Sequence, residues 1–359
     1  CSGKVYFAGK PHVFRGAIDA EPGELPELHV AVPRRGMTPL PLDLVFGDDH
    51  RIDGTLGDGI SETVSATGWR NTWNKTLDPL SDILAGYFTA LLEPDASDGG
   101  IGDPNVPQGT GFFSLTNVAS GVATWSGKTA DGSLVKRSSF IGPDGEFGCW
   151  APLYGNLGSL QGSGMIDGTT RLISGATVWT KLPPIKPGRE YPDGFEVTLH
   201  PMGGPYSPTI LEDTVATQFS ADTPNAAITF SEGGLAESET DPNVEGTIFK
   251  GTKGMVLTVP LPTKDPDTNP NPGKVKLRLI AKTGLFSGTF GLSDPNPSGA
   301  VKPIGRTGSF SGILVPSIGS FAGGYFKLPQ LPDPDAEPAT TLKTSPILSG
   351  KVEVLPIVP

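Results

Sequence analysis

The sequence predicts an all-β protein made of two duplicated antiparallel units, each a β-barrel or a β-sandwich of many short strands. Three observations carry that prediction. Glycine (49) and proline (37) are dense throughout the 359 residues, a composition that breaks long helices and suits tight turns. Apolar and polar residues alternate over many short segments, which is the period of a half-buried strand. A phrase of the form apolar-Ser-Gly-x-apolar/Thr returns six times, beginning at Cys1-Ser2-Gly3, Trp125-Ser126-Gly127, Ile173-Ser174-Gly175, Phe286-Ser287-Gly288, Phe310-Ser311-Gly312 and Leu348-Ser349-Gly350. Glycine at a fixed place in a strand-forming unit marks a bend, a bulge or the close approach of another backbone.

Along the chain, strands are expected at 4–7, 12–18, 29–32 and 42–46, then at 88–92, 110–115, 122–125 and 134–140. Further strands are expected at 177–180, 195–199, 227–230, 255–259 and 275–280, and the last at 285–290, 309–315, 324–328 and 351–355. Turn signals such as Asp131-Gly132 and Pro143-Asp144-Gly145 separate them. One short helix is expected near 79–85, capped by Asp78. Proline and glycine cluster from Pro183 to Pro208, including Pro187, so residues 1–182 read as the first unit, 183–208 as a connection holding one strand, and 209–359 as the second unit.

Three landmarks repeat in order and predict how the halves superpose. Trp125-Ser126-Gly127 matches Phe286-Ser287-Gly288, Gly142-x-x-Gly145-x-Phe147 matches Gly305-x-x-Gly308-x-Phe310, and Pro152-x-x-Gly155 matches Pro316-x-x-Gly319. All are offset by roughly 163 residues, and a shared offset is the mark of internal duplication.

A net charge of −11 disfavours nucleic acid, because an acidic surface repels phosphate. No apolar run approaches the ~20 residues of a membrane-spanning helix. The chain opens on Cys1 without a methionine, as a processed or excised product would. Cys1 then has three readings: the acylated cysteine of a mature lipoprotein, a disulfide partner for Cys149, or, with Cys149, a small hydrophobe.

Signatures of catalysis are sparse. His12, His29, His50 and His200 have no histidine two or four residues away, and no Cys-x-x-Cys is present. No Gly-x-Ser-x-Gly elbow occurs. Asp48, Asp49, Glu146, Asp167 and Asp193 are the carboxylates from which a glycosidase pair would come, though acidic turn residues are what this composition produces anyway. Trp69, Trp73, Trp125, Trp150 and Trp179, with Tyr154, would either stack sugars on an exposed face or fill a barrel. The stretch Asp265-x-Asp267-x-Asn269-x-Asn271 places oxygen donors at alternate positions, which suits calcium, the one cofactor the sequence suggests. It lacks the glycine of an EF-hand loop and carries prolines, as a plain strand connection would.

Four passages, Ser2-Gly3-Lys4-Val5 through Phe14-Arg15-Gly16, Val32-Pro33-Arg34-Arg35-Gly36, Pro107 through Gly132, and Leu153-Tyr154-Gly155 through Phe195, carry a likeness. In them the chain resembles the glycine-rich β-repeat modules of very large secreted or autotransporter-like bacterial surface proteins. The resemblance implies export to the cell surface or beyond it, and a scaffold, adhesive or display role without catalysis. Expected partners are further copies or adjacent modules, joined through strand edges, and surface glycans. The runner-up reading is a carbohydrate-binding module, and the third a glycoside-processing enzyme.

Overall fold

The computed structural model describes residues 1–358 apart from 8, 9, 59, 61, 99, 185 and 187, so Pro187 of the predicted connection lies outside the described residues. The chain is all-β, with 51% of residues in strands and 6% helical. Strands β1 (Ser2–Phe7) and β2 (Lys10–Arg15) form a hairpin. Strands β3 (Glu27–Arg34), β4 (Met37–Phe46), β5 (Arg51–Gly57) and β6 (Thr63–Trp69) form a four-stranded meander around Leu28, Val32, Leu40 and Leu42.

The first barrel follows. Its strands are β7 (Gly86–Pro94), β8 (Gly111–Asn117), β9 (Val122–Lys128), β10 (Leu134–Phe140), β11 (Glu146–Leu153), β12 (Gly158–Ile166), β13 (Ile173–Lys181) and β14 (Phe195–Pro205). Each pairs with its chain neighbour except at β10 and β11, and β14 closes back on β7. The second barrel repeats the scheme with β15 (Ala226–Glu232), β16 (Val244–Gly251), β17 (Gly254–Thr258), β18 (Lys276–Ile280), β19 (Leu285–Asp294), β20 (Ile304–Leu314), β21 (Ala322–Pro329) and β22 (Ile347–Pro356). Here β22 closes on β15, and the unladdered seam lies between β17 and β18. The stretch 183–208 thus contains β14, the closing strand of the first barrel.

Eight strands leave an interior just wide enough to be filled by side chains. Trp125, Trp179, Phe88, Phe113 and Phe147 fill the first barrel, and Phe230, Phe286, Phe290, Phe310 and Phe326 the second. The Ser-Gly phrase explains how these rings fit. Phe286 lies opposite Gly312 and Phe310 opposite Gly288, so two copies of the phrase run antiparallel and each ring covers the other's glycine. Phe290 covers Gly308, Phe326 covers Gly350, Phe147 covers Gly164 and Phe14 covers Gly3 in the same way. The missing Cβ is the space the ring occupies.

Two expectations are corrected. The two units are present, but the offset of roughly 163 residues does not align them: Trp125 sits on the third strand of its barrel and Phe286 on the fifth, while Phe147 and Phe310 sit on the fifth and sixth. Of the matched glycines, Gly288 and Gly308 lie under the rings of Phe310 and Phe290, whereas Gly145 and Gly155 sit in turns. Residues 79–85 form turns, and among the described residues the α-helix is α1 (Pro208–Gln218). Ser207 caps it by accepting from Ile210 N, with Pro208 in the first turn.

Each barrel has its own core, and Ile313, Val315 and Tyr325 of the second are buried among first-barrel side chains. Tyr87 donates to Thr283 O (2.9 Å), Tyr206 to Ala281 O (2.6 Å) and Thr110 N to Gly324 O (3.1 Å), which fixes the two as one body. Among the described residues, no helix is long and apolar enough to cross a membrane.

Candidate functional site

The seam of the first barrel is where the fold leaves backbone and side chains open. Strands β10 and β11 lie side by side without a ladder, so each presents an unpaired edge. The turn between them is held from the N-terminal sheet. Arg51 of β5 donates to Asp144 Oδ2 and Glu146 Oε1, both at 2.6 Å. Trp69 donates its indole N–H to Phe140 O and Trp73 to Ile141 O, each at 2.9 Å. Tyr6 of β1 packs on Trp150 of β11, with ring centroids 4.1 Å apart.

Beside that contact lies a cleft of about 640 Å³. Tyr6 and Trp150 form an aromatic wall, Gly148 leaves room on β11, Arg137 and Ser139 come from β10, and Trp125 reaches the cleft from the barrel interior. The Arg137 guanidinium lies 5.9 Å from the Trp150 ring centre and donates to Lys136 O. Among the described residues, no carboxylate lies within ion-pair distance of it. Trp125 is 1% exposed, and both its indole N–H and the buried Ser139 hydroxyl lack hydrogen-bond partners. Five further buried polar atoms among the described residues, Thr89 Oγ1 and Ser317 Oγ among them, are likewise without partners.

A second polar cluster ties the barrels together. Asp131 accepts from Thr129 Oγ1 (2.7 Å), Ser133 N (3.0 Å) and Tyr154 OH (2.6 Å), and Tyr154 OH accepts from Trp179 Nε1 (3.0 Å). Lys181 donates to Glu190 O (2.6 Å) above the Tyr154 ring, and Ser349 N donates to Tyr191 OH (2.7 Å). Burial raises the Tyr154 phenol, helped by the Asp131 charge, and burial lowers the Lys181 ammonium. Tyr154 therefore stays protonated as a hydrogen-bond donor, and the cluster is fully occupied by its own bonds.

The other predicted residues are dispersed. Asp49 and Glu146 both meet Arg51, while Asp48 and Asp193 are exposed in turns. Asp167 closes its own turn on Thr169 and Thr170, and those bonds hold its carboxyl below the usual range. His29 bonds Asp43 and Glu27, His50 bonds Arg70, His200 bonds Asp95, and His12 lies half-buried on β2.

The predicted calcium stretch connects β17 to β18 across the second seam. Asp265 accepts from Asp267 N and Thr268 Oγ1, Asn269 accepts from Thr263 N and Asn271 N, and Asn271 is buried, bonding Pro260 O and Val275. Asp267 is exposed. Among the described residues, no group of three or more His, Cys, Asp or Glu side chains is placed to hold a metal. Cys1 and Cys149 are not joined: Cys1 is exposed and Cys149 buried, its thiol pushed up to about 12 by burial.

Of the tryptophans, Trp125 and Trp179 fill the barrel, Trp69 and Trp73 brace the turn, and Trp150 lines the cleft. Tyr6, Arg137 and Ser139 carried no motif. The signal that points to them is the basic pair Lys136-Arg137 on a strand of an acidic chain. Comparison with protein-family models and with curated proteins gives no match.

Proposed function

We propose that the chain is a structural and adhesive module of a secreted or cell-surface protein, a rigid double barrel that contacts partners through strand edges and a seam cleft and turns over no substrate. One observation carries the reading: both barrel interiors are filled and the clustered titratable groups are engaged in structural bonds, while the β10 and β11 edges stay open. Open edges supply the unpaired donors and acceptors that a neighbouring module can satisfy by strand addition. The ring-over-glycine phrase suits a module made in series, as in the glycine-rich β-repeat proteins the chain resembles.

Sedimentation velocity over a wide concentration range tests it. Association that grows with concentration is expected, and deletion of residues 1–7, which removes the β2 partner strand and takes Tyr6 from Trp150, should disperse the assembly or lower Tm. A chain that stays monomeric throughout and keeps its stability when truncated would overturn the assembly role. The Tyr6–Trp150 wall favours a second reading, carbohydrate binding, because flat aromatic surfaces stack on sugar rings.

A further inference from the structure

We infer that the cleft between β10 and β11 binds a carboxylate-bearing saccharide, with Trp150 and Tyr6 stacking the ring and Arg137 pairing the carboxylate. The inference rests on the carbohydrate-binding reading and deepens it by naming the charge of the ligand.

The polar side chains that line the cleft are all donors or hydroxyls. Arginine has five N–H groups and no acceptor, indole N–H donates only, and a serine hydroxyl can do either. No aspartate or glutamate lines the cleft. A neutral sugar could use the Tyr6 and serine hydroxyls and the open strand-edge carbonyls, but it would leave the Arg137 cation unused. A ligand rich in acceptors and carrying negative charge matches it, and guanidinium binds carboxylate in a two-bond fork.

The charge of the whole chain sharpens the point. At −11 the chain as a whole repels anions, so an anion that binds needs a local cation, which Arg137 supplies here. Arg51 and Arg306 each hold a carboxylate at 2.6 Å, whereas Arg137 is held only by the Trp150 face and a neighbouring carbonyl. The aromatic pair and the arginine stand together at one cleft.

The test is calorimetric titration of the full chain with a panel of uronate- and sialate-bearing oligosaccharides, each beside its methyl ester as the uncharged control. At least one acid is expected to bind with millimolar affinity or better, and its ester at least tenfold more weakly. Arg137→Gln should cost at least tenfold at unchanged Tm, and Trp150→Ala at least tenfold in a chain that circular dichroism shows still folded. Binding should weaken as salt is raised. Esters that bind as tightly as the acids would overturn the acidic assignment and leave carbohydrate binding standing. A panel without a binder would overturn both. Wild-type affinity in Arg137→Gln and Trp150→Ala would place the site elsewhere and overturn the inference.

Discussion

Replacing Gly308 with alanine probes the device that shapes both barrels. A Cβ built on Gly308 would fall 2.5 Å from Phe290 Cε1 and 2.8 Å from Cε2, well inside carbon–carbon contact. Phe290 is 1% exposed, and its ring centre lies 4.8 Å from that of Phe230 and 5.3 Å from that of Phe326, so it has nowhere to recede. Forcing one methyl group into such a core costs about 1–3 kcal/mol. The same change at Gly148, a strand glycine with nothing within 4 Å of the added Cβ, should be neutral or stabilise by about 0.4–1 kcal/mol, since it only restricts the unfolded chain. Denaturant midpoints at constant m-value measure both. Phe290→Leu alone should cost about 1 kcal/mol. Combined with Gly308→Ala it should cost less than the sum by about 0.5–3 kcal/mol, because the smaller side chain vacates the space the methyl needs. Additive effects, or a Gly308→Ala variant as stable as wild type, would refute the claim that ring and glycine share one space.

Asp294 and Arg306 are both 0% exposed and bond at 2.6 Å, so Arg306→Met should cost about 3–5 kcal/mol by stranding a buried carboxylate, whereas Asp294→Leu with Arg306→Met should be near neutral in denaturation. The His200 bond, followed by the bonds from Ser97, lowers the Asp95 carboxyl from 3.8 to about 2. A depressed carboxylate adds stability above 3.8 that is lost as pH falls towards 2, so the Asp95 carboxyl carbon should titrate near 2 by NMR and move up in His200→Ala. The His29 imidazole is raised by Asp43 and then Glu27, so its contribution is complete below 6.5 and fades as pH rises through the higher folded value, and its NMR midpoint should lie above 6.5. Arg51 is 41% exposed, so Arg51→Ala should barely move Tm, yet hydrogen exchange at residues 141–146 should quicken because their anchor is gone.

The sequence made the fold class legible because glycine, proline and alternation all act locally. What escaped it depends on partners far along the chain. Strands β12, with three glycines, and β5, with an Asp-Gly, read as turns by composition, yet Gly164 and Gly54 sit mid-strand because a ring or a neighbouring backbone fills the place of their side chains. α1 was hidden by prolines that read as a connection, although Ser207-Pro208 is itself a helix start. The five tryptophans could be assigned to packing or platform only by knowing which strands face inward. The cleft needed more still, since Tyr6, Arg137 and Trp150 meet only because a hairpin folds back over a seam that no local pattern announces.

The two seams differ in how far they are covered. Ring-over-glycine packing fills both interiors, so neither barrel holds a ligand inside as wider barrels do. In the second barrel the interruption between β17 and β18 is bridged by residues 259–275, whose Asp and Asn side chains close their own turns and whose Asn271 is buried. In the first barrel the connection across the interruption is a turn of five residues, 141–145, too short to cover it. Its braces come from Arg51, Trp69 and Trp73, which hold the end of the seam and leave the middle of β10 and β11 to Tyr6 alone. An aromatic wall, an unpaired arginine and two orphaned polar groups stand at that uncovered stretch. If the short turn is what keeps the cleft open, lengthening it with a covering loop should abolish saccharide binding while leaving both barrels folded.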